Sequence, residues 1–369
     1  MKAVRTIFRI LVGLVFVFSG FVKGVDPLGT VYRMNDYFIA FGIPWAMTFS
    51  LVLTIFLITL EFLVGISLLF NLHIKWTSWV LLPLMTYFTV LTLFDALYNL
   101  VPDCGCFGDA VKLTNVQTFI KNLVLMGFVI PIFVWRKRYK APLSGWSQGL
   151  LILGLSACFA GMSVYAYRHL PLIDFMDWKV GSQVNHGAAA PVKFYVTYKN
   201  IRTGETKEYL APDYPWNDSV WMSQWVFVSQ RTADDGTIGV MSLLIEDETG
   251  GDNTAAFLGI PDYHFIVVAY DLAKADTVGL EKLDRLFVVA AEEGYSMIAI
   301  TSTLPAETNA IREKFRLEMP FYYADDVVLK TMVRSNPGLI LLNNGVVVKK
   351  WAWRDIPGWD AINKEYMKR

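Results

Sequence analysis

Five apolar stretches in the first 168 residues constrain the fold of this chain more than any other feature. Each has about the 20 residues that an α-helix needs to cross the hydrocarbon core of a bilayer. They run over Thr6–Lys23, Trp45–Phe70, Trp76–Phe94, Val116–Trp135 and Trp146–Tyr167. Of the 369 residues, 54% are hydrophobic and only 18% are charged, which is typical of a membrane protein with a soluble part attached. The sequence therefore predicts five membrane-spanning helices.

The first stretch is the weakest of the five, because only Ile10–Val22 is free of charge. It spans a membrane if Arg9 and Lys23 extend to opposite interfaces. A cleaved signal peptide is the alternative interpretation, although Ser19–Lys23 lacks the small-residue pattern of a cleavage site.

Basic residues in the short loops predict the orientation. If the N-terminus is cytoplasmic, that side collects Lys2, Arg5, Arg9, Lys75, Arg136, Lys137, Arg138 and Lys140. The opposite loops hold Lys23, Arg33 and Lys112, with Lys121 at the head of the fourth span. An odd number of spans then places everything after Tyr167 outside. The run Arg136–Lys140 fixes this orientation or binds anionic lipid head groups.

The formal net charge is zero, so nothing in the overall charge favours a nucleic-acid partner. Membrane lipid is the expected partner of the apolar helices.

Two of only three cysteines lie in the motif Cys104-Gly105-Cys106-Phe107-Gly108, in the loop between the third and fourth spans. On the predicted topology this loop lies outside, where thiols can form disulfides without opposition from glutathione. One interpretation is a reactive pair in which one cysteine attacks and the other resolves a mixed disulfide. The alternatives are a structural turn with packed thiols and a metal site completed by Asp103 or Asp109.

Two acidic residues of the membrane half are further candidates. Glu61 lies inside the second span, where a carboxylate marks a proton relay, a ligand contact or an acid that is hydrogen-bonded to a neighbouring helix. Asp95, at the end of the third span, is predicted to be a solvated interfacial residue near the cysteine motif. Cys158, in the fifth span, is predicted to be a buried packing residue.

The composition changes near residue 170, where a soluble part begins. Residues 170–260 read as a β-rich segment with a hairpin over residues 193–210 and a second turn at Asp235-Gly236. Trp216, Trp221 and Trp225 form either its core or a peptide-docking surface. Residues 261–369 alternate strands with helices and close with a hairpin around Asn343-Asn344-Gly345, which predicts an α/β domain.

The order of elements in residues 261–369, with Asn336-Pro337 ahead of the closing hairpin, resembles the thioredoxin fold. The resemblance implies that Pro337 is cis and lies near a partner-docking surface. The family's Cys-x-x-Cys is missing, because the matching segment is Asp271–Asp276 and no cysteine follows Cys158. A soluble thioredoxin-like domain without redox cysteines is therefore expected.

Residues 1–140, with the Cys-Gly-Cys-Phe-Gly motif, resemble the MauE-like branch of the DoxX superfamily, and residues 141–169 add a fifth helix. The resemblance implies a bacterial inner membrane, a periplasmic C-terminal domain, and thiol–disulfide redox or protein maturation by Cys104 and Cys106. A quinone is the candidate cofactor, and a periplasmic client protein is the candidate partner. The alternative is a non-enzymatic scaffold whose soluble domain binds a client.

Overall fold

The computed structural model describes residues 2–101, 104–140, 143–184, 194–211, 214–215, 218–232 and 243–367. These residues form two compact units, one reaching Tyr167 and the other comprising essentially everything from Asp174 onward.

The first unit contains the five apolar helices that the sequence predicts, each long and apolar enough to cross a membrane. The helices are α1 (Lys2–Val25), α3 (Ser50–Phe70, preceded by a 3₁₀ turn from Pro44), α4 (Ile74–Tyr98), α5 (Asn115–Val134) and α6 (Gly145–Arg168). A short helix, α2 (Pro27–Ala40), follows α1 and was not predicted. The Asp26 side chain accepts a hydrogen bond from Gly29 N, and Pro27 occupies the first turn, so Asp-Pro begins the helix.

Within this unit, α1 packs along α3 and α4 packs along α5. Glycines allow α1 and α3 to approach closely. A Cβ on Gly20 would lie 2.8 Å from Phe62 N, and a Cβ on Gly65 would lie 2.5 Å from Val17 N. Small residues at a helix interface are a common means of tight packing in membranes. This contact brings the end of α1 beside the middle of α3.

The fifth span, α6, contacts this pair through Phe159, whose ring stacks on Phe62 with centroids 4.1 Å apart. The prediction that Cys158 is a buried packing residue is wrong, because Cys158 is exposed on the surface of α6. Phe159 lies on the packed face of this helix, and its neighbour in sequence consequently lies off that face.

The second unit begins with a three-stranded antiparallel sheet in the order β2-β1-β3. Its strands are β1 (Phe194–Asn200), β2 (Thr206–Ala211) and β3 (Trp225–Thr232), with the short helix α7 (Ser219–Gln224) before β3. The predicted first hairpin is confirmed by the pairing of β1 with β2. The predicted turn at Asp235-Gly236 lies outside the described residues. After it, Glu246 forms isolated bridges to Asp252 and Tyr323.

Two of the three tryptophans considered above lie in the core of this small sheet. The rings of Trp221 and Trp225 stack with centroids 5.8 Å apart, and Trp225 is buried with Tyr198. Trp216 lies outside the described residues.

The remainder is an α/β domain around a five-stranded mixed sheet in the order β6-β5-β4-β7-β8. The strands are β4 (Tyr263–Val268), β5 (Ser296–Thr301), β6 (Phe321–Tyr323), β7 (Gly338–Asn343) and β8 (Val346–Ala352). The helices are α8 (Thr254–Leu258), α9 (Thr277–Glu292), α10 (Pro305–Phe315), α11 (Asp326–Met332) and α12 (Trp359–Tyr366). Strands β4, β5 and β6 run parallel, and β7 and β8 run antiparallel to their neighbours.

This topology follows from the apolar patterns. Residues 264–268 in β4 are buried on both faces, which is typical of a central strand between helical layers. The turn between β7 and β8 uses Asn344 (φ 48°) and Gly345 (φ 69°), the left-handed pair that tight hairpins prefer. The predicted alternation of strands and helices and the closing hairpin are confirmed; α12 was not predicted.

Candidate functional site

The cysteine motif forms a tight turn between α4 and α5. Gly105 (φ 61°) and Gly108 (φ 53°) both adopt the left-handed conformation, and Gly108 N donates to Gly105 O at 3.0 Å. Glycine is the residue that enters this conformation with least strain. The turn directs the thiols of Cys104 and Cys106 to the same side, with the two Sγ atoms 3.6 Å apart.

Helix α2 lies directly against this turn. The Arg33 side chain packs so closely on Gly105 that a Cβ there would be 2.0 Å from Arg33 Cδ. The guanidinium continues to Asp109, where Nη2 and Oδ1 are 2.8 Å apart. Both groups of this ion pair are largely buried, so the pair fixes the loop to α2. Gly105 is thus required both by its backbone angle and by the side chain above it.

The two thiols differ in pKa. The hydrogen bond that Cys104 donates lowers the pKa of Cys106 to about 6, and the positive charges of Lys121 and Lys23 act in the same direction, against the effect of burial. Donating that bond raises the pKa of Cys104, and burial raises it further. Cys104 Sγ also lies 3.3 Å from Thr118 Oγ1. The hydrogen bond and the two cations therefore favour the thiolate form at Cys106 over that at Cys104.

Glu61 is paired with a lysine, an arrangement that the sequence analysis did not consider. Lys23 Nζ donates to Glu61 Oε1 at 3.0 Å and to Oε2 at 2.9 Å. Lys23 is 8% exposed and Glu61 is 2% exposed, so the prediction that Lys23 extends to a membrane interface is wrong. The close packing of α1 on α3 holds Lys23 inside the bundle, where the carboxylate compensates its charge.

A hydroxyl joins this ion pair to the cysteine turn. Ser19 Oγ lies 2.7 Å from Cys106 O and 3.2 Å from Glu61 Oε2. One hydroxyl proton serves one acceptor at a time, so Ser19 can donate to the turn or to the carboxylate. The thiol pair and the buried ion pair therefore belong to one connected polar cluster.

The prediction that Asp95 is a solvated interfacial residue is wrong. Asp95 is completely buried, and its Oδ2 accepts a hydrogen bond of 2.6 Å from Tyr37 OH. Its Oδ1 has no hydrogen-bond partner among the described residues. Helix α2, which was not predicted, supplies the tyrosine and covers the carboxylate. Burial raises the pKa of Tyr37, and the hydrogen bond to Asp95 raises it further, so the tyrosine stays protonated as a donor.

The polar cluster lines part of a cavity of about 460 Å³ inside the first unit. The lining residues of this part are Cys104, Cys106, Lys23, Glu61 and Lys121. Apolar side chains from α1 to α5 form most of the remaining wall. A cavity of this size with a few convergent polar groups is typical of a site for a small apolar molecule.

The described residues contain no group of three or more His, Cys, Asp or Glu side chains that could hold a metal ion. Asp109, one of the two carboxylates considered as a metal ligand, pairs with Arg33. The other, Asp103, lies outside the described residues.

In the second unit, the Asn336–Pro337 peptide bond is cis, as the resemblance to the thioredoxin fold implies. Asn336 Nδ2 donates to Asp271 O at 2.7 Å, and Asn336 O accepts from Asp276 N at 3.1 Å. These bonds join the proline turn to the segment Asp271–Asp276. No cysteine follows Cys158 in the sequence, so this unit lacks the thiolate nucleophile of disulfide exchange.

The sequence indicates the thiols and Glu61 as candidate site residues but does not indicate the cations around them. Lys23 and Arg33 were counted as loop charges that set the orientation, and Lys121 was assigned to the head of a span. In the structure, Lys121 Nζ lies 4.4 Å from the centre of the Phe107 ring and acts on Cys106. The available signal was a basic residue at a helix end bordering the cysteine loop, a position also expected of a topology-setting charge.

Comparison with known families adds one result. Residues 1–136 match the family described as methylamine utilisation protein MauE. The matched segment contains α1 to α5 and the cysteine turn, and it excludes α6 and the second unit. The chain matches no curated protein and no solved structure.

Proposed function

We propose that the membrane unit is a thiol–disulfide redox module that acts in the maturation of extracytoplasmic proteins. The observation that carries this proposal is the pair of sulfurs 3.6 Å apart, beside cationic side chains that lower the pKa of Cys106. A thiolate is the nucleophile in disulfide exchange, and a second thiol close by can resolve the intermediate. Cys106 is accordingly the attacking residue and Cys104 the resolving one.

In the reaction with a client disulfide, Cys106 Sγ attacks one client sulfur, and the other client sulfur leaves as a thiolate. Cys104 then loses its proton and attacks Cys106 Sγ, which releases the second client thiolate. The products are a reduced client, which takes up two protons, and an oxidised Cys104–Cys106 pair. The reverse sequence oxidises a client dithiol. The relative reduction potentials of pair and client set the direction.

A quinone, the cofactor suggested by the resemblance, is compatible with the residues of the cavity. Lys23 and Lys121 offer N–H donors that could hold carbonyl oxygens, and the apolar walls suit a ring and its hydrocarbon tail. Such a group would supply a two-electron acceptor.

We assign the soluble α/β unit the role of a thioredoxin-like docking module without redox cysteines. The surface around Asn336 and Pro337 would receive an extended segment of a client protein. The bias of basic residues supports an inner membrane location with a cytoplasmic N-terminus and a periplasmic C-terminal domain. In this arrangement the docking module and the cysteine turn share one compartment.

The proposal is tested with the Cys104→Ser, Cys106→Ser double variant, and Cys158→Ser is the matched control. Loss of client maturation at normal abundance of the double variant, with full function of the control, is the expected result. Intact maturation would instead favour the scaffold alternative, in which the bundle serves as an anchor. Thiol labelling of intact cells and spheroplasts with a membrane-impermeant reagent, followed by mass spectrometry of the Cys104 peptide, tests the sidedness.

A further inference from the structure

The cavity beside the thiols has an apolar side opening. We define this side opening by four cavity-lining residues: Phe41, Leu53, Phe56 and Tyr87. All four are exposed, with Phe56 at 64% and Tyr87 at 55%. Leu53, Phe56 and Tyr87 lie within α3 and α4, which are two of the candidate membrane spans. In a bilayer this opening therefore faces lipid.

The opening lies where the packing of the bundle leaves space. Helix α1 pairs with α3 and α4 pairs with α5, and the cavity is lined by residues from both pairs. Leu53 and Phe56 belong to the first pair, and Tyr87 belongs to the second. A gap between two tightly packed helix pairs allows an apolar molecule to enter without separating either pair.

The part of the cavity that the thiols line suits an oxygen-bearing head group. Lys23 and Lys121 supply positive charge and Ser19 supplies a hydroxyl, all near Cys106. Cations and donors at a desolvated position stabilise an acceptor oxygen, particularly one that gains negative charge. The cavity therefore combines a lipid-facing apolar opening with a cationic part at the thiols.

Helix α2 covers the cavity near the cysteine turn. Thr30, Met34 and Phe38 from this helix line the cavity, and Arg33 lies over Gly105. A molecule arriving from water would have to displace these contacts or the ion pair between Arg33 and Asp109. A molecule dissolved in the bilayer can enter at the side opening without displacing α2 or this ion pair.

We propose that the side opening formed by Phe41, Leu53, Phe56 and Tyr87 admits a lipid-dissolved, carbonyl-bearing carrier of the quinone class from the bilayer to the thiol pair. This inference deepens the proposed function, because it names the route and the chemical class of the molecule that meets Cys106. Entry and binding do not themselves require the thiols to react.

The test uses the full-length protein in lipid nanodiscs with decylubiquinone as the probe. Binding is measured as protection of Cys106 from iodoacetamide and, independently, as photo-crosslinking of an azido-quinone mapped by mass spectrometry. Leu53→Trp adds bulk at the opening, and Val52→Trp is the matched control, because Val52 is 70% exposed and does not line the cavity. Leu53→Trp is expected to weaken protection about tenfold, since overpacking costs binding energy on that scale.

Val52→Trp should leave both the protection and the alkylation rate without quinone unchanged. The protection in each variant is expressed relative to its own alkylation rate without quinone. Crosslinks are expected on the α3 and α4 peptides. Equal effects of both variants, no protection at all, or displacement of the azido-quinone by phospholipid acyl chains alone would overturn the proposal. Crosslinking of the Cys104→Ser, Cys106→Ser variant separates the two ideas, because retained labelling supports the route even if the redox function fails.

Discussion

Lys23 donates to both carboxylate oxygens of Glu61, at 3.0 and 2.9 Å, although the two residues are 38 positions apart in the sequence. Both belong to helices long enough to cross a membrane, so neither charge has bulk water as an alternative partner. Removing one partner leaves the other charge buried and uncompensated, which costs far more than the pair itself contributes. The bundle should therefore tolerate the loss of both charges better than the loss of either one alone.

We predict that Lys23→Met or Glu61→Leu alone destabilises the membrane unit by about 3–5 kcal/mol. The double variant should recover most of that loss, because it removes both charges together. Unfolding in detergent micelles, followed by the fraction that remains monodisperse after heating, measures the effect. Lys75→Met is the matched control, since Lys75 is exposed near the start of α4 and should show little change. A double variant as unstable as the singles would contradict compensation within the pair.

The reactivity of Cys106 should depend on pH with a midpoint near its pKa of about 6. Only the thiolate reacts, so alkylation rises as the pH passes this value and is nearly maximal at neutral pH. The lowered pKa also contributes folding stability that is complete above the ordinary thiol pKa of about 8.5. This contribution is lost as the pH falls through about 6.

Cys104→Ala should move this midpoint upward, because it removes the hydrogen bond that contributes most to the low pKa of Cys106. The measurement is the rate of iodoacetamide labelling between pH 5 and 9 in a Cys158→Ser background, so that the exposed third thiol does not interfere. An unchanged midpoint in Cys104→Ala would show that the two thiols are not coupled.

Lys121 should act on the same midpoint through its charge. Lys121→Met is expected to raise the pKa of Cys106 by about one unit, the lower end of the effect of an adjacent opposite charge. Lys121→Arg keeps the charge and should largely preserve the wild-type pH profile. Lys112→Met is the control for general loop charge, because Lys112 is exposed on the same loop. Equal shifts in Lys112→Met and Lys121→Met would assign the effect to the overall field of the loop.

The sequence predicted those elements that a local pattern of residues indicates. Five long apolar stretches and the alternation of strands and helices after residue 261 each state their structure locally, through length and period. The Cys-Gly-Cys turn was found for the same reason, since glycines beside thiols are visible without a structure. These features required no knowledge of which helices meet.

The errors concern residues whose environment depends on a distant partner. Lys23 was assigned to an interface and Asp95 to solvent because each lies near the end of an apolar stretch. Their burial results from the approach of α3 and from the cover of α2, a helix whose Asp26-Pro27 start was overlooked in the sequence. Cys158 was misplaced because α6 is apolar on all sides, so its periodicity does not distinguish the packed face from the lipid-facing one.

The cysteine turn contains two glycines, Gly105 and Gly108, that have similar left-handed conformations but different surroundings. Gly105→Ala introduces a Cβ 2.0 Å from Arg33 Cδ, whereas Gly108→Ala introduces one 3.1 Å from Val22 Cγ1. Both pay the backbone cost of about 1 kcal/mol for an L-residue in this region. Only Gly105→Ala must also displace Arg33 and thereby disturb its ion pair with Asp109.

We therefore expect Gly105→Ala to lower the thermal stability more than Gly108→Ala, because only Gly105→Ala must displace Arg33. Gly127→Ala is the control, because it lies within α5 with nothing within 4 Å of its added Cβ and should be neutral or slightly stabilising. An Arg33→Ala, Gly105→Ala double variant should remain less stable than wild type but should not add the two single losses, since removing Arg33 makes room for the methyl group. Additive losses would mean that Arg33 and Gly105 act independently and that the close approach of α2 does not fix the turn.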